Sequence, residues 1–104
     1  MSIIDYRAQR LDRNHARKLI LEIAQRHPAQ IRFSNHALEE MRKDNMTTVD
    51  VFNIIKSPSA KILHEGEMER GTYRYRLETQ NMMVVVAFDS KTSLAIVTAW
   101  RKQL

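Results

Sequence analysis

Hydrophobic residues recur at helical spacing in the first half of the chain and at strand spacing in the second half. Residues 1–30 predict one helix. The apolar side of this helix consists of Leu19, Ile20, Ile23 and Ala24. Arg17 falls on the opposite side, which we expect to face solvent. Pro28 ends the helix near His27, because proline lacks a backbone N–H and clashes with the preceding turn.

Residues 31–57 predict two shorter helices behind a brief extended segment. Ser34 or Asn35 caps the first of them, because their side-chain oxygens accept hydrogen bonds from the free N–H groups at a helix start. This helix runs to about Asp44. Its buried residues are expected to be Ala37, Leu38 and Met41. The helix that follows begins with a capping box and ends just before Pro58.

The sequence after Pro58 changes to the pattern of β-strands. The predicted strands are residues 60–65, 72–79, 82–88 and 94–101, and residues 66–71 are expected to form a loop. Residues 82–88 are apolar without interruption, which predicts a central strand buried on both faces. Residues 72–79 alternate between apolar and charged side chains, which is typical of a strand with one solvated face.

This order of elements predicts an α+β fold in a single domain covering residues 1–104. The N-terminal helix lies within residues 1–30, two helices lie within 31–57, and an antiparallel sheet covers 58–104. We expect the helices to pack on one face of a four-stranded antiparallel meander. The other face of the sheet is then open to solvent.

The charge balance indicates an anionic partner. The 104 residues include 17 Lys and Arg against 12 Asp and Glu, a formal net charge of +5. A small basic domain favours RNA, DNA or an acidic protein over a membrane. The chain has no cysteine, which excludes a disulfide scaffold, a thiolate zinc site and a cysteine nucleophile. With no membrane-spanning or secretory segment in the sequence either, we expect a cytoplasmic protein.

Candidate chemistry lies on the predicted sheet. Arg74 and Arg76 project from the same side of one strand, and guanidinium groups suit the oxygens of a phosphodiester. Further cations lie on the first and last predicted strands, at Lys61, His64, Arg101 and Lys102. Aromatic residues that stack on unpaired bases are available at Tyr73, Tyr75 and Trp100. The alternative is that the arginines form an ordinary solvated face and the tyrosines belong to the core.

Proton transfer has one main candidate, His36, in the first turn of the second helix. A neutral imidazole accepts a proton near pH 7, although a surface or capping histidine is the simpler interpretation. The four histidines share no metal-ligand spacing, so we predict no bound metal and no cofactor.

Two segments resemble the small bacterial domain of unknown function numbered 4258. The first is Phe33-Ser34-Asn35-His36-Ala37-Leu38-Glu39-Glu40-Met41, continued by Met46-Thr47-Thr48-Val49-Asp50-Val51. The second is Met83-Val84-Val85-Val86-Ala87, followed by Ala95-Ile96-Val97-Thr98-Ala99-Trp100-Arg101. The resemblance covers residues 32–102. That family is similar to MqsR- and BrnT-type toxins of type II toxin–antitoxin modules, which have a RelE-like fold.

The resemblance implies a metal-independent endoribonuclease, an mRNA interferase, with mRNA, free or on the ribosome, and a cognate antitoxin as partners. His36, Arg74, Arg76 and Arg101 are then the candidate catalytic residues. Lys61, Tyr73, Trp100 and Lys102 are the candidate RNA-binding residues. The chain departs from the family pattern where two helix arginines are replaced by Glu40 and Asp44. A non-catalytic basic module that binds RNA or an acidic protein is therefore the alternative.

Overall fold

The computed structural model describes residues 4–64 and 66–102, and within them three helices pack on one face of a six-stranded sheet. The helices are α1 (Arg13–Arg26), α2 (Asn35–Lys43) and α3 (Thr48–Lys56), and a short 3₁₀ turn covers Pro28–Gln30. The strands are β1 (Ile31–Phe33), β2 (Lys61–Ile62), β3 (Glu67–Glu69), β4 (Thr72–Glu78), β5 (Met82–Ser90) and β6 (Ser93–Arg101). No described helix is long and apolar enough to cross a bilayer.

The sheet is mixed rather than a pure meander. Its strands lie in the order β1-β6-β5-β4-β2, and β3 also pairs with β4. β1 runs parallel to β6, and every other described pairing is antiparallel. The α+β class with helices preceding the main sheet is confirmed. The predicted four-stranded antiparallel meander matches the structure only in part, because the prediction did not include strands β1 and β3.

The two strands that the pattern missed are both too short to show a period. β1 has three residues and was expected only as an extended segment. β3 consists of Glu67-Met68-Glu69, whose charge is typical of a loop. It is held instead by a tight turn, in which Arg70 (φ 53°) and Gly71 (φ 80°) adopt left-handed backbone conformations. Glycine adopts this conformation without steric penalty, so β3 folds back against β4.

β5 is the central strand, as its apolar run predicted. It lies between β4 and β6. Val84, Val86 and Phe88 enter the main core beneath the helices. Met83, Val85 and Ala87 alternate with them, and all three are also buried.

The ends of the helices are set by side-chain caps. α1 begins at Arg13 rather than within the first residues, because the Asp12 side chain accepts a hydrogen bond from the His15 N–H. Ser34 caps α2, and Thr47 and Asp50 form the expected capping box of α3. The expectation that Leu38 is buried is wrong, since 42% of it is exposed.

Residues 4–12 form an arm rather than the first turns of the predicted helix; residues 1–3 lie outside the described part of the chain. The ring of Tyr6 meets Phe88 edge-on at 6.5 Å, and the Arg7 carbonyl accepts a hydrogen bond from the Tyr73 N–H. Further along, the buried Leu11 N–H donates to the Tyr75 hydroxyl at 2.9 Å. The arm is thereby attached to the edge of β4.

Arg17 corrects the expectation of a solvated face on α1. Its guanidinium donates to the carbonyls of Ile55, Ser57 and Ala60, at 2.6–3.1 Å. Partial burial lowers its pKa, because desolvation disfavours the charged form. The residue closes the end of α3, and its planar donors satisfy carbonyls that the helix leaves free.

Tyr75→Phe is expected to lower the free energy of unfolding at neutral pH by about 1–3 kcal/mol, because the buried Leu11 N–H loses its acceptor. Burial also raises the pKa of Tyr75. The stability that this raised pKa contributes is present below about pH 10 and is lost as the pH rises further. Denaturant titrations should therefore show the two proteins converging at alkaline pH, with Tyr73→Phe as the control. A gap that stays constant with pH would contradict this account.

Candidate active site

The face of the sheet opposite the helices carries the candidate site, and we call it the open face. Arg74 and Arg76 on β4 lie opposite Ala87 and Val85 on β5 in the strand register. Their neighbours Tyr75 and Leu77 point the other way, into the core under the helices. The predicted division of β4 into an apolar side and an arginine side is therefore confirmed.

A small recess of about 40 Å³ lies on the open face beside Arg76. We call it the His64 recess. It is lined by His64, Glu67, Glu69, Arg74, Arg76 and Val85. An imidazole, two carboxylates and two guanidinium groups thus share one small volume.

The charges in the His64 recess are only partly neutralised. A guanidinium nitrogen of Arg74 lies 3.2 Å from a carboxylate oxygen of Glu69, which fixes both groups. The side chain of Arg76 is exposed and has no hydrogen bond or ion pair among the described residues. It remains available to an anionic ligand.

The backbone beside the recess is shaped by Gly66. A side-chain carbon at this position would lie 2.6 Å from the ring of Tyr75, which is closer than atoms can approach. The absence of a side chain lets the chain pass over the buried ring and turn into β3. His64 lies two residues before this glycine and Glu67 directly after it, and both line the recess.

A second, wider cleft of about 240 Å³ adjoins the recess, with Arg74 lining both. We call it the bulge cleft. It is lined by Arg7, Arg32, Ser34, Thr72, Arg74, Ala87, Asp89, Ala95 and Val97. Arg32 binds Asp89 through two nitrogens, at 2.8 and 3.0 Å, and this hydrogen bonding raises the pKa of Arg32.

Arg101 does not join the other predicted catalytic residues. Its guanidinium donates to the carbonyls of Asp44 and Asn45, at 2.9 and 3.3 Å, and lies 3.8 Å from Asp50. It therefore points to the helix side of the sheet. Its place opposite Met82, whose side chain packs against the main core, explains why. The expectation that Arg101 shares a surface with Arg74 is wrong.

Two further predicted site residues also lie away from the recess. His36 is exposed in the first turn of α2, and it lines neither the recess nor the cleft. Tyr73 points to the helix side of β4 and packs against the core. The remaining predicted RNA-binding residues are placed on the open face: Lys61 and Lys102 near Glu78, and Trp100 opposite Met83.

Arg101→Ala is expected to destabilise the fold by about 1–3 kcal/mol, because it frees carbonyls at the end of α2. Any activity lost in this variant should return when the protein is assayed under conditions where it is fully folded. Thermal unfolding and circular dichroism measure the first effect. An unfolding temperature equal to that of the original protein would contradict the structural role.

The described residues hold no group of three or more His, Cys, Asp or Glu side chains arranged to bind one metal ion.

The sequence pattern did not single out several residues of this surface. Glu67 and Glu69 were assigned to a loop, and Arg7 and Arg32 to segments without candidate chemistry. One feature of the sequence could have identified the two glutamates: Arg70-Gly71 directly precedes an alternating strand, a pattern that predicts a hairpin. In the structure this hairpin places Glu69 opposite Thr72. His64 was named among the cations of the first strand but was not selected for proton transfer.

The comparison with known families gives one result. The family model described as "Domain of unknown function (DUF4258)" matches residues 33–101. No curated protein and no solved structure gives a significant match. The matched segment contains the whole His64 recess, whereas Arg7 and Arg32 precede it.

Proposed function

The chain belongs to the DUF4258 family, and we propose that it is a metal-independent endoribonuclease of the kind found as toxins in toxin–antitoxin modules. The observation that carries this proposal is the His64 recess, in which His64, Glu67 and Arg76 surround one small volume beside the fixed Arg74–Glu69 pair. These groups can supply the general base, the general acid and the charge stabilisation that accelerate cleavage of an RNA phosphodiester.

The reaction is an attack of the RNA on itself. The 2′-oxygen forms a bond to phosphorus, the bond from phosphorus to the 5′-oxygen breaks, and a 2′,3′-cyclic phosphate results. Glu67 accepts the proton of the 2′-hydroxyl, and protonated His64 donates a proton to the leaving 5′-oxygen. One proton is taken up and one released, so no other reactant is needed.

The two arginines act on the phosphate. Extra negative charge develops on its non-bridging oxygens in the transition state, and a guanidinium group offers paired donors to such oxygens. Arg76 is free to make this contact. Arg74, whose guanidinium is held by Glu69 and whose charge is offset by it, can present its remaining N–H donors beside Arg76.

The remaining open-face residues support binding of a single strand. Lys61 adds positive charge at the β2 edge of the surface, whereas the charge of Lys102 is paired with Glu78. Trp100 offers a ring for base stacking. We further propose that an antitoxin covers this face in the cell, because a basic surface attracts an acidic or amphipathic segment.

The alternative function is a non-catalytic module that binds RNA or an acidic protein. Glu40 and Asp44 favour it, because they replace two arginines that the resemblance implies. Both have structural partners: Glu40 lies 3.2 Å from the Lys43 ammonium group, and the Asp44 carboxylate accepts the Arg101 N–H at 2.8 Å. Neither residue lines the His64 recess, which is why we prefer the ribonuclease.

Induced expression with RNA profiling tests the proposal. The ribonuclease should arrest growth and produce RNA fragments, and the purified protein should cleave at an undiminished rate in excess EDTA. Coexpression of a neighbouring antitoxin gene should relieve the arrest. Intact RNA in expressing cells, with RNA binding retained in vitro, would support the alternative, and loss of cleavage in EDTA would contradict a metal-independent reaction.

A further inference from the structure

The bulge cleft continues the open face away from the His64 recess, and Arg74 belongs to both. We infer that the cleft binds the phosphate of the RNA next to the one that is cleaved. This inference rests on the proposed function and names how the strand crosses the site. Arg7 and Arg32 would hold the neighbouring phosphate while the recess holds the reacting one.

Arg32 is oriented for such a ligand. Its Nε and one terminal nitrogen bind both oxygens of Asp89, which locks the plane of the guanidinium. The outer edge, with the second terminal nitrogen, has no partner in the described structure, and 62% of the side chain is exposed. A guanidinium offers a second pair of donors along that edge, which fits two phosphate oxygens.

The two irregularities of the sheet lie in this cleft. The register between β5 and β6 shifts between Val85 and Val86 and again between Phe88 and Ser90. These shifts leave Val97 and Asp89 as extra residues, and both line the cleft. Bulges re-aim side chains and occur often beside active sites, and here one of them presents the carboxylate that orients Arg32.

The lining favours the RNA backbone over a base. The floor consists of Ala87, Ala95 and Val97, whose short side chains leave the cleft open. None of the lining residues is aromatic, so the cleft has no stacking surface. Its one carboxylate, Asp89, is already engaged by Arg32. Contacts to phosphate carry no sequence information, and we expect binding here to be independent of base identity.

This subsite is contributed partly by the N-terminal segment of this chain. The matched domain covers residues 33–101, and both Arg7 and Arg32 precede it. The arm reaches the cleft because the Arg7 carbonyl accepts a hydrogen bond from the Tyr73 N–H at 2.7 Å. The segment before the domain thus extends the RNA-binding surface by one phosphate.

Binding is tested first with RNA that cannot be cleaved. The affinity for a 2′-O-methyl oligonucleotide is measured at several salt concentrations for the original protein and for Arg7→Gln, Arg32→Gln and Arg26→Gln. Arg26 is an exposed residue at the end of α1, so its variant loses the same charge elsewhere. Each cleft variant should bind about tenfold more weakly, with a salt slope shallower by about 0.7, as expected for one lost phosphate contact.

Cleavage then locates the contact. A dinucleotide with a single ribose contains only the reacting phosphate, so Arg32→Gln should cleave it at the original rate. The same dinucleotide is then extended by one deoxynucleotide, at its 5′ end in one substrate and at its 3′ end in another. Arg32→Gln should cleave one of these two substrates about tenfold more slowly than the original protein does. An equal effect on all three substrates, or salt slopes identical to that of Arg26→Gln, would overturn the inference. If no substrate is cleaved by any protein, the proposed function fails, and the salt slopes still decide whether the cleft binds phosphate.

Discussion

Arg76→Ala is expected to slow RNA cleavage about a hundredfold or more while leaving the protein folded. The side chain is exposed and has no partner in the described structure, so its removal costs little packing. In the reaction, it would contact oxygens whose negative charge increases in the transition state. Loss of one such donor typically costs about 3 kcal/mol of transition-state stabilisation. Single-turnover cleavage and thermal unfolding measure the two effects separately.

Two variants serve as controls for Arg76. Arg76→Lys should recover little activity, because an ammonium group lacks the planar pair of donors. Arg26→Ala removes the same charge from the exposed end of α1 and should leave cleavage unchanged. If Arg76→Ala cleaves as fast as the original protein, the reacting phosphate does not lie in the His64 recess.

His64→Ala is expected to slow cleavage by about 10²- to 10⁴-fold, the usual contribution of a positioned general acid or base. His64→Gln should be about as slow as His64→Ala, because an amide side chain forms hydrogen bonds but does not transfer a proton. Single-turnover cleavage measures both variants. His36→Ala should behave as the original protein, because His36 lies outside the recess.

Comparing His64→Ala with His36→Ala distinguishes the site seen in the structure from the site predicted from the sequence. If His36→Ala lost activity and His64→Ala did not, the site would lie at the start of α2, as the sequence suggested. If both variants cleaved RNA nearly as fast as the original protein, neither histidine would transfer a proton in the reaction.

The sequence predicts which residues lie on the open face only where side chains alternate regularly along a strand. A period of two correctly placed Arg74 and Arg76 on the side opposite Tyr75, because β4 is regular. Arg101 was expected on the same surface because it ends the last predicted strand, and that expectation is wrong. Which face a residue near a strand end occupies depends on register, and β6 contains an extra residue at Val97 that changes the alternation.

The His64 recess depends on contacts that a periodic pattern does not contain. β3 is three residues long and charged, and it is held by its turn and by pairing with β4 rather than by an apolar face. Gly66 matters because of its distance from Tyr75, nine residues further along the chain. The arm of residues 4–12 was likewise assigned to a helix, since its attachment to Tyr73 and Tyr75 is made by tertiary hydrogen bonds.

The most direct test of the ribonuclease is the chemistry of its products. The protein is incubated with single-stranded RNA, both free and on translating ribosomes, and with the same RNA carrying a 2′-O-methyl group at the cleaved nucleotide. Mass spectrometry should find fragments that end in a 2′,3′-cyclic phosphate, and the methylated RNA should stay intact at that position, because its 2′-oxygen cannot attack. Unbroken RNA in both preparations, or cleavage that ignores the 2′-O-methyl group, would contradict the account.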